Sequence, residues 1–152
     1  NLATFGLMVK DEARGTVRAP LGRAWPLVRY APTPGDLERL ARGMRLAAEA
    51  LFAAGAEQVL LPLNRRRNVA VTPFEASEIL ASGVTARELQ GMAFHPLGTC
   101  GLGRVVGADL RLCPGVYVCD GSVVPESLGV NPQVTIYAFA LTLAARLLGG
   151  RA

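Results

Sequence analysis

Three pairs of a polar residue and a proline, each followed by a run with helical spacing, constrain the fold of this 152-residue chain most. The pairs are Thr33-Pro34, Thr72-Pro73 and Asn131-Pro132. Threonine and asparagine are preferred at the position that caps a helix, and proline is favoured at the first helical position. The sequence therefore predicts three helices that begin at these pairs. We expect them to end at the glycines that follow each run, Gly55, Gly83 and Gly149.

Acidic residues near the helix starts support these assignments. Asp36 lies three residues after Thr33, and Glu75 lies three residues after Thr72, where it completes a predicted capping box. The stretch Thr85–Glu88 has the same spacing, so we expect a shorter helix to begin there. The last helix has apolar residues on all faces, which predicts that it is buried nearly all round.

Short apolar runs between the helices predict strands. The first 19 residues predict a strand, a polar turn at Glu12–Gly15 and a second strand, and further runs lie at residues 26–31, 57–63 and 115–122. The first connection is too short for the crossover helix that parallel strands need, so we expect antiparallel pairing. With no internal repeat, the order of these elements predicts an α+β fold.

The charge distribution argues against a nucleic-acid partner. The formal net charge is only +4, and the dense basic cluster is Arg65–Arg67. No set of aromatic residues for base stacking lies beside it. We interpret the cluster as a solvated loop, and the alternative is a patch that steers an anionic partner. The nearly uncharged stretch 129–145 is too short and too mixed to indicate a membrane span, so membrane association is not evident from the sequence.

His95 is the only histidine, and three cysteines follow it along the chain. The number of cysteines is odd, and no CxxC pair occurs among Cys100, Cys113 and Cys119. This pattern favours free thiols in a reducing, cytoplasmic compartment. A Cys3His metal site is the alternative, but structural zinc sites usually use close pairs of ligands. We therefore expect no metal, and we expect the thiols to be buried as small apolar groups.

Four glycines after His95 leave two interpretations of residues 98–107. Gly101, Gly103 and Gly107 are superficially similar to a dinucleotide-binding loop. That motif requires a helix after it, and the following residues do not have helical spacing. The favoured interpretation is a tight turn that depends on its glycines.

A strand end and a helix start lie close in sequence near the C-terminus. The strand at 115–122 carries Asp120-Gly121, and Asn131 opens the last helix ten residues after this glycine. The N-terminus of a helix concentrates partial positive charge and free N–H donors. The two ends could hold a polar, anionic or electron-accepting ligand. Ordinary capping of the strand and the helix is the alternative.

The stretches "HPLGTC" and "VYVCDGSVVPESLGVNPQVTI" together resemble the C-terminal signature of the glucose-methanol-choline (GMC) flavoprotein oxidoreductases. That family has a His-x-x-Gly-Thr segment, a strand with an Asp-Gly or Asp-Ala turn, and an Asn-Pro or His-Pro step before the final helix. The match covers residues 92–148 and is most similar to the branch with cholesterol oxidases and long-chain alcohol oxidases. The resemblance implies oxidation of an alcohol to a carbonyl by hydride transfer to FAD.

The resemblance also implies roles for individual residues. His95 and Asn131 match the two catalytic positions that face the substrate hydroxyl in front of the flavin. A neutral imidazole can accept the hydroxyl proton, whereas an amide can only orient the oxygen by hydrogen bonds. Cofactor contacts are implied for the strand end and the helix start, at Asp120, Gly121, Asn131, Pro132 and Gln133.

The GxGxxG element of an FAD-binding β-α-β unit does not occur in this sequence. The resemblance places that element near the N-terminus of a chain several times longer. It therefore implies a C-terminal fragment whose partner is the missing N-terminal FAD-binding portion of the same protein. Residues 1–91 are expected to form part of a substrate-domain sheet with its helices. Residues 92–152 are expected to supply the catalytic histidine, the Asp-Gly turn and the flavin-facing helix. They are expected to end in the strand-loop-helix that completes the FAD-binding domain.

The substrate implied by the branch similarity is a small-molecule alcohol with a bulky apolar body, such as a sterol or a long-chain alcohol. Two alternatives stay open. One is a flavin-containing lyase of the same fold, similar to the hydroxynitrile lyases, and the other is a non-catalytic binding module. The presence of both His95 and Asn131 favours an enzyme.

Overall fold

The structure is a computed structural model that describes residues 2–20, 22 and 24–149. The chain divides into two compact units, Asn1–Met92 and Ala93–Ala152. In chain order the elements are β1 (Thr16–Arg18), β2 (Leu27–Arg29), α1 (Pro34–Ala53), β3 (Val59–Leu60), β4 (Val69–Ala70), α2 (Pro73–Ala81), β5 (Arg111–Cys113), β6 (Val116–Tyr117) and α3 (Gln133–Leu147). The strands form three antiparallel pairs, β1-β2, β3-β4 and β5-β6. The prediction of an α+β fold is confirmed.

The first two helices begin where the threonine-proline pairs predict. The Asp36 N–H donates to Thr33 Oγ1 at 3.1 Å, and the Asp36 carboxylate accepts from the Thr33 N–H at 2.8 Å, which completes the capping box of α1. At α2 the Glu75 N–H donates to Thr72 Oγ1 at 3.1 Å. The capping box predicted for α2 is wrong in its second hydrogen bond, the one that the Glu75 side chain accepts. The Glu75 carboxylate accepts from the Val71 N–H, at 2.9 Å.

The strand predicted in the first residues of the chain is not formed. Residues 2–15 have no regular secondary structure, residue 1 lies outside the described residues, and β1 pairs with β2 instead. Side-chain hydrogen bonds anchor the segment, because Asp36 accepts the N–H groups of Glu12 and Ala13 at 2.8 and 3.1 Å. Asp36 is fully buried, so a carboxylate at the start of α1 determines where this segment lies.

The short helix predicted at Thr85–Glu88 is also wrong. These residues form a single turn, in which the Glu88 carboxylate accepts from the Thr85 N–H and hydroxyl at 3.1 and 2.8 Å. The local capping bonds are therefore present. Directly after them, however, Leu89 forms an antiparallel bridge with Leu63, so the chain leaves the helical path after one turn.

Each unit has its own apolar core. In the first unit, side chains of α1, α2 and the β3-β4 region pack together, at Met44, Ala48, Val59, Leu61, Leu63, Ala70, Ala76, Ile79 and Leu80. In the second unit the buried set is smaller, at Val106, Leu110, Val123 and Leu143. Burial of a large apolar side chain contributes roughly 1.5 to 3 kcal/mol. The first unit therefore gains more from apolar burial than the second.

Arg65 belongs to the framework of the first unit. Its guanidinium donates to the carbonyl oxygens of Ile79 and Gly83 at 3.0 and 2.8 Å, at the C-terminal end of α2. It also donates to Ser82 Oγ at 2.9 Å and to the Glu88 carboxylate at 2.7 Å. A cation at this end of a helix is stabilising. The prediction of a solvated cluster is therefore wrong for the first of the three arginines, while the other two are exposed.

We expect Arg65→Met to lower the free energy of unfolding by about 2 kcal/mol, because the carbonyl oxygens at the end of α2 lose a charged donor. Arg66→Met is the matched control, since Arg66 is exposed, and its effect should stay within about 0.5 kcal/mol. Urea unfolding followed by circular dichroism measures both variants. Equal stability of the two variants would show that Arg65 does not support α2.

Helix α3 packs through one face only. Leu143 is buried in the core of the second unit, and Phe139 packs beside it. Tyr137 and Leu141 lie on the opposite face and are exposed. The prediction of a helix buried nearly all round is therefore wrong. The apolar character of α3 does not make it a membrane span, since no helix in the described part of the chain is long and apolar enough to cross a membrane.

Candidate active site

Two backbone segments of the second unit lie side by side, one after the histidine and one after the Asp-Gly turn. The Cys100 N–H donates to the Ser122 carbonyl at 3.0 Å, and the Leu102 N–H donates to the Val123 carbonyl at 2.9 Å. These bonds hold the Gly-Thr-Cys run against the end of the Asp-Gly-Ser run. Two motifs that are some twenty residues apart in sequence are therefore neighbours in space.

Glycines allow this close approach. Gly98 has a φ of +83°, which residues with a side chain rarely adopt, and a Cβ there would meet the Pro125 carbonyl oxygen at 3.3 Å. A Cβ on Gly101 would meet the Gly98 oxygen at 3.2 Å. No α-helix follows this run in the described residues before α3. The interpretation as a tight turn that depends on its glycines is confirmed.

Gly121 lies where three parts of the candidate site meet. A Cβ at this position would lie 3.4 Å from both Leu97 Cδ2 and Ile136 Cδ1, and 3.6 Å from the Pro96 carbonyl oxygen. Pro96 and Leu97 directly follow His95, and Ile136 lies in the first turns of α3. The Asp-Gly turn, the segment after the histidine and the start of α3 therefore pack against one another at this glycine.

Asp120 caps a short 3-10 turn at Gly121–Val123. Its Oδ1 accepts from the Ser122 N–H at 2.8 Å. Hydrogen bonds from Ser122 lower the pKa of this carboxyl and outweigh the opposing effect of desolvation, so the group is ionised at neutral pH. Ser122 is not among the site residues predicted from the sequence. The Asp-x-Ser spacing is the available signal, because an aspartate often accepts from the N–H two residues on.

The N-terminus of α3 has no side-chain cap. Pro132 occupies the cap position, so the prediction of Asn131 as the cap is wrong. Pro132 has φ −82° and ψ 4°, which moves the start of the helix one residue further along and takes Asn131 out of capping position. The Ile136 N–H donates to the Pro132 carbonyl at 2.9 Å. The N–H groups of the three residues before Ile136 have no acceptor within the helix and carry the positive end of its dipole.

The predicted site residues differ in exposure. His95, Asn131 and Gln133 are exposed, whereas Pro132 is buried. The Gln133 side chain donates to Tyr137 Oη at 3.0 Å, which directs the amide group along α3 and away from its N-terminus. The catalytic pairing of His95 with Asn131 and the cofactor contacts stay predictions.

The three cysteines occupy different environments. Cys100 and Cys119 are half-buried beside the core of the second unit. Cys113, at the end of β5, is exposed, so the prediction that the thiols are buried is wrong for this residue. Within residues 2–20, 22 and 24–149, no group of three His, Cys, Asp or Glu side chains is arranged to hold a metal ion.

Comparison with known proteins assigns the class of this chain. A family model described as GMC oxidoreductase matches residues 11–140. The match includes most of the first unit as well as the motifs of the second. The chain therefore belongs to the GMC oxidoreductase family, and the resemblance found in its C-terminal signature is confirmed.

The curated relatives align with almost the whole chain but are much longer. A GMC-type oxidoreductase of Mycobacterium tuberculosis, named as uncharacterized, is 37% identical over 99% of this chain and 25% of its own length. Another, from Sinorhizobium fredii, is 31% identical over 93% of the chain and 29% of its own length. A long-chain-alcohol oxidase of Arabidopsis thaliana is 28% identical over 92% of the chain and 20% of its own length. The chain thus spans about a quarter of the length of these relatives. No solved structure matches it.

Proposed function

We propose that this chain is the C-terminal part of an FAD-dependent enzyme that oxidises the CH–OH group of an alcohol to a carbonyl. The observation that carries the proposal is the packing of the segment after His95, the Asp120-Gly121 turn and the uncapped start of α3 around one point. Membership of the GMC oxidoreductase family supports it. Several of the relatives are named long-chain-alcohol oxidases.

The residues around this point fit the flavin end of the cofactor. The free N–H groups at the start of α3, that of Gln133 first among them, would donate to the pyrimidine edge of the ring. Gly121 lets the turn pack closely against Leu97 and Ile136, which would bring Asp120 beside the start of α3. Asp120 would accept hydrogen bonds from ribityl hydroxyls. An ionised carboxylate repels a pyrophosphate. The remainder of FAD would therefore be held by polypeptide outside these 152 residues.

Bound FAD would supply the acceptor for the two electrons that leave the alcohol carbon as a hydride. The residues of this chain would handle the hydroxyl proton. His95 would accept it, since a neutral imidazole is a base near neutral pH. Asn131 would donate its amide N–H to the substrate oxygen and orient it, because an amide is not a base. The positive end of α3 would stabilise negative charge that develops beside it.

The substrate that we propose is a bulky apolar alcohol, such as a sterol or a long-chain alcohol. Phe94 precedes His95, and Val130 precedes Asn131, and both are exposed apolar residues. Apolar side chains beside both proposed catalytic residues would favour a hydrocarbon body over a sugar or a small polar alcohol. The long-chain-alcohol oxidases among the relatives support the same class.

The test uses the enzyme expressed from its complete reading frame. We expect anaerobic addition of 1-dodecanol or a sterol to bleach the visible absorbance of the bound flavin, and ethanol or glucose to do so far more slowly. Cleavage of a hydroxynitrile without bleaching by any alcohol would assign a lyase of the same fold. A flavin-bearing protein that does neither would be a binding module. Either of these results contradicts the proposed oxidation.

A further inference from the structure

The segment 13–31 carries an unbalanced positive charge. It has no aspartate or glutamate, and it has four arginines, Arg14, Arg18, Arg23 and Arg29. The formal net charge of the whole chain is also +4, so the remainder of the chain is neutral on balance. Arg23 lies outside the described residues, and the other three arginines are exposed. The net positive charge of this protein is therefore concentrated in one short segment of the first unit.

The hairpin of β1 and β2 presents two of these arginines on one face. Its register pairs Thr16 with Arg29 and Arg18 with Leu27. Directly paired residues, and residues two apart on one strand, have their side chains on the same face of a sheet. Arg18 and Arg29 therefore share one face of the hairpin. Every residue of the two strands is exposed, so this face is open to solvent in the described part of the chain.

The carboxylates that precede this segment are already engaged. Asp11 accepts from the Tyr30 hydroxyl at 2.8 Å, and Glu12 pairs with Arg39 at 3.1 Å. Neither strand of the hairpin contains an acidic residue. Among the described residues, no ion pair involves the three exposed arginines of the segment. Their charge is therefore available to an anionic partner.

Exposed apolar side chains accompany the arginines. Trp25, two residues before β2 begins, is 74% exposed. Val17 and Val28 are paired directly on the other face of the hairpin, and they are 56% and 64% exposed. A cluster of exposed apolar side chains indicates an interaction surface, and a two-stranded hairpin is only marginally stable by itself. Tryptophan is enriched at the boundary between lipid and water, and arginine is attracted to anionic headgroups.

We propose that the β1-β2 hairpin docks on an anionic lipid surface, with Arg18 and Arg29 against the headgroups and Trp25 at the edge of the hydrocarbon. The charge of the segment is complementary to such a surface, and its strands of three residues lie on the bilayer without crossing it. The inference goes beyond the proposed oxidation and does not depend on it. An alcohol with a large apolar body partitions into lipid, so docking would bring the enzyme to its proposed substrate.

Two other partners fit the hairpin less well. A second copy of the chain that paired through the same face would bring arginines opposite arginines, and like charges directly opposite each other are destabilising. Single-stranded nucleic acid is bound by successive aromatic side chains on which the bases stack. Trp25 is the only tryptophan in the chain, and the Tyr30 hydroxyl is held by Asp11. An anionic lipid surface is the partner that uses both the arginines and the tryptophan.

Vesicle flotation tests the docking with the enzyme expressed from its complete reading frame. We expect it to float with vesicles of phosphatidylcholine mixed with phosphatidylserine, to bind phosphatidylcholine alone weakly, and to lose binding at high salt. Arg18→Gln combined with Arg29→Gln should lower the affinity for the mixed vesicles on the order of 10- to 30-fold. Arg42→Gln combined with Arg87→Gln is the matched control, because it removes two exposed arginines elsewhere in the first unit and should change the affinity far less.

Trp25→Ser is a second variant that should also weaken flotation, and it leaves the net charge unchanged. Three results would overturn the docking. They are no flotation with either kind of vesicle, equal losses in the hairpin and control variants, and tighter binding to a single-stranded oligonucleotide than to the mixed vesicles.

Bleaching of the flavin by 1-dodecanol in detergent solution is measured on the same samples and should be unchanged by the hairpin variants. Vesicle binding without bleaching refutes the oxidation and keeps the docking. Bleaching without vesicle binding refutes the docking alone.

Discussion

Replacing His95 with alanine is expected to slow the reduction of bound flavin by an alcohol at least about a hundredfold, the usual scale for loss of a general base. The hydroxyl proton then has to leave to water. Anaerobic stopped-flow absorbance of the enzyme expressed from its complete reading frame measures the rate. Flavin content is determined first, so that loss of cofactor is not mistaken for slow chemistry. His95 is exposed, so the stability should change by less than about 0.5 kcal/mol.

Two further variants separate the roles of the proposed catalytic residues. His95→Gln keeps a hydrogen-bonding side chain but removes the base, so it should be as slow as His95→Ala. Asn131→Leu removes the orienting amide and should also slow the reduction, with the fold intact because Asn131 is exposed. Near-normal kinetics of His95→Ala would refute its part in the reaction. A fast His95→Gln variant would assign the histidine to positioning the hydroxyl.

Asp36→Asn is expected to lower the free energy of unfolding by about 3 to 5 kcal/mol at neutral pH, the scale for removing one partner from a buried charged network. The fully buried carboxylate accepts from four donors, the N–H groups of Glu12, Ala13 and Thr33 and the guanidinium of Arg39. Asparagine replaces one oxygen with an NH2 group, which sets donor against donor. The segment that this residue holds against α1 should then detach.

The pH dependence of this effect has a defined sign. Burial raises the pKa of Asp36, but hydrogen bonds from Glu12, Thr33 and Arg39 outweigh it and hold that pKa well below its usual range. In the unfolded chain the pKa returns to about 3.9. The stability that the carboxylate contributes is therefore fully present above the unfolded value and is lost as the pH falls toward the folded value. The difference between wild type and Asp36→Asn should shrink below about pH 5.

Urea unfolding of the chain at neutral and at acidic pH measures this difference. Glu38→Gln is the matched control, because Glu38 is an exposed carboxylate on the same helix. Its effect should stay within about 0.5 kcal/mol at either pH. An Asp36→Asn protein as stable as wild type, or a gap that stays constant in acid, would contradict the anchoring role of Asp36.

Features that depend on a few consecutive residues can be predicted from the sequence. Thr33 and Thr72 each accept the N–H three residues later, and proline sets the first helical φ at both starts. Gly55 and Gly83, with φ of +94° and +84°, follow the ends of α1 and α2. All these groups are within one helical turn of their partners, so the local chain geometry alone brings them together.

Features that depend on distant partners cannot be predicted in the same way. The Arg65 guanidinium binds carbonyl oxygens 14 and 18 residues later, and the Asp36 carboxylate accepts an N–H group 24 residues earlier. Thr85–Glu88 has the right spacing for a helix start, yet Leu89 pairs with Leu63 and ends the turn. The residues close to them in sequence do not indicate these distant partners, because tertiary packing brings the partners together.

The amino-acid sequence alone is enough to predict the α+β class, two of the three helix starts, the motifs around His95, Asp120 and Asn131, and the family that those motifs indicate. Each of these depends on residue types at short spacings. Three features could be established from the folded chain alone: Gly121 packs against Leu97 and Ile136, Asn131 does not cap α3, and Tyr137 and Leu141 of α3 are exposed to solvent. The physical reason is that close approach and burial depend on the whole set of packed neighbours, which local spacing does not contain.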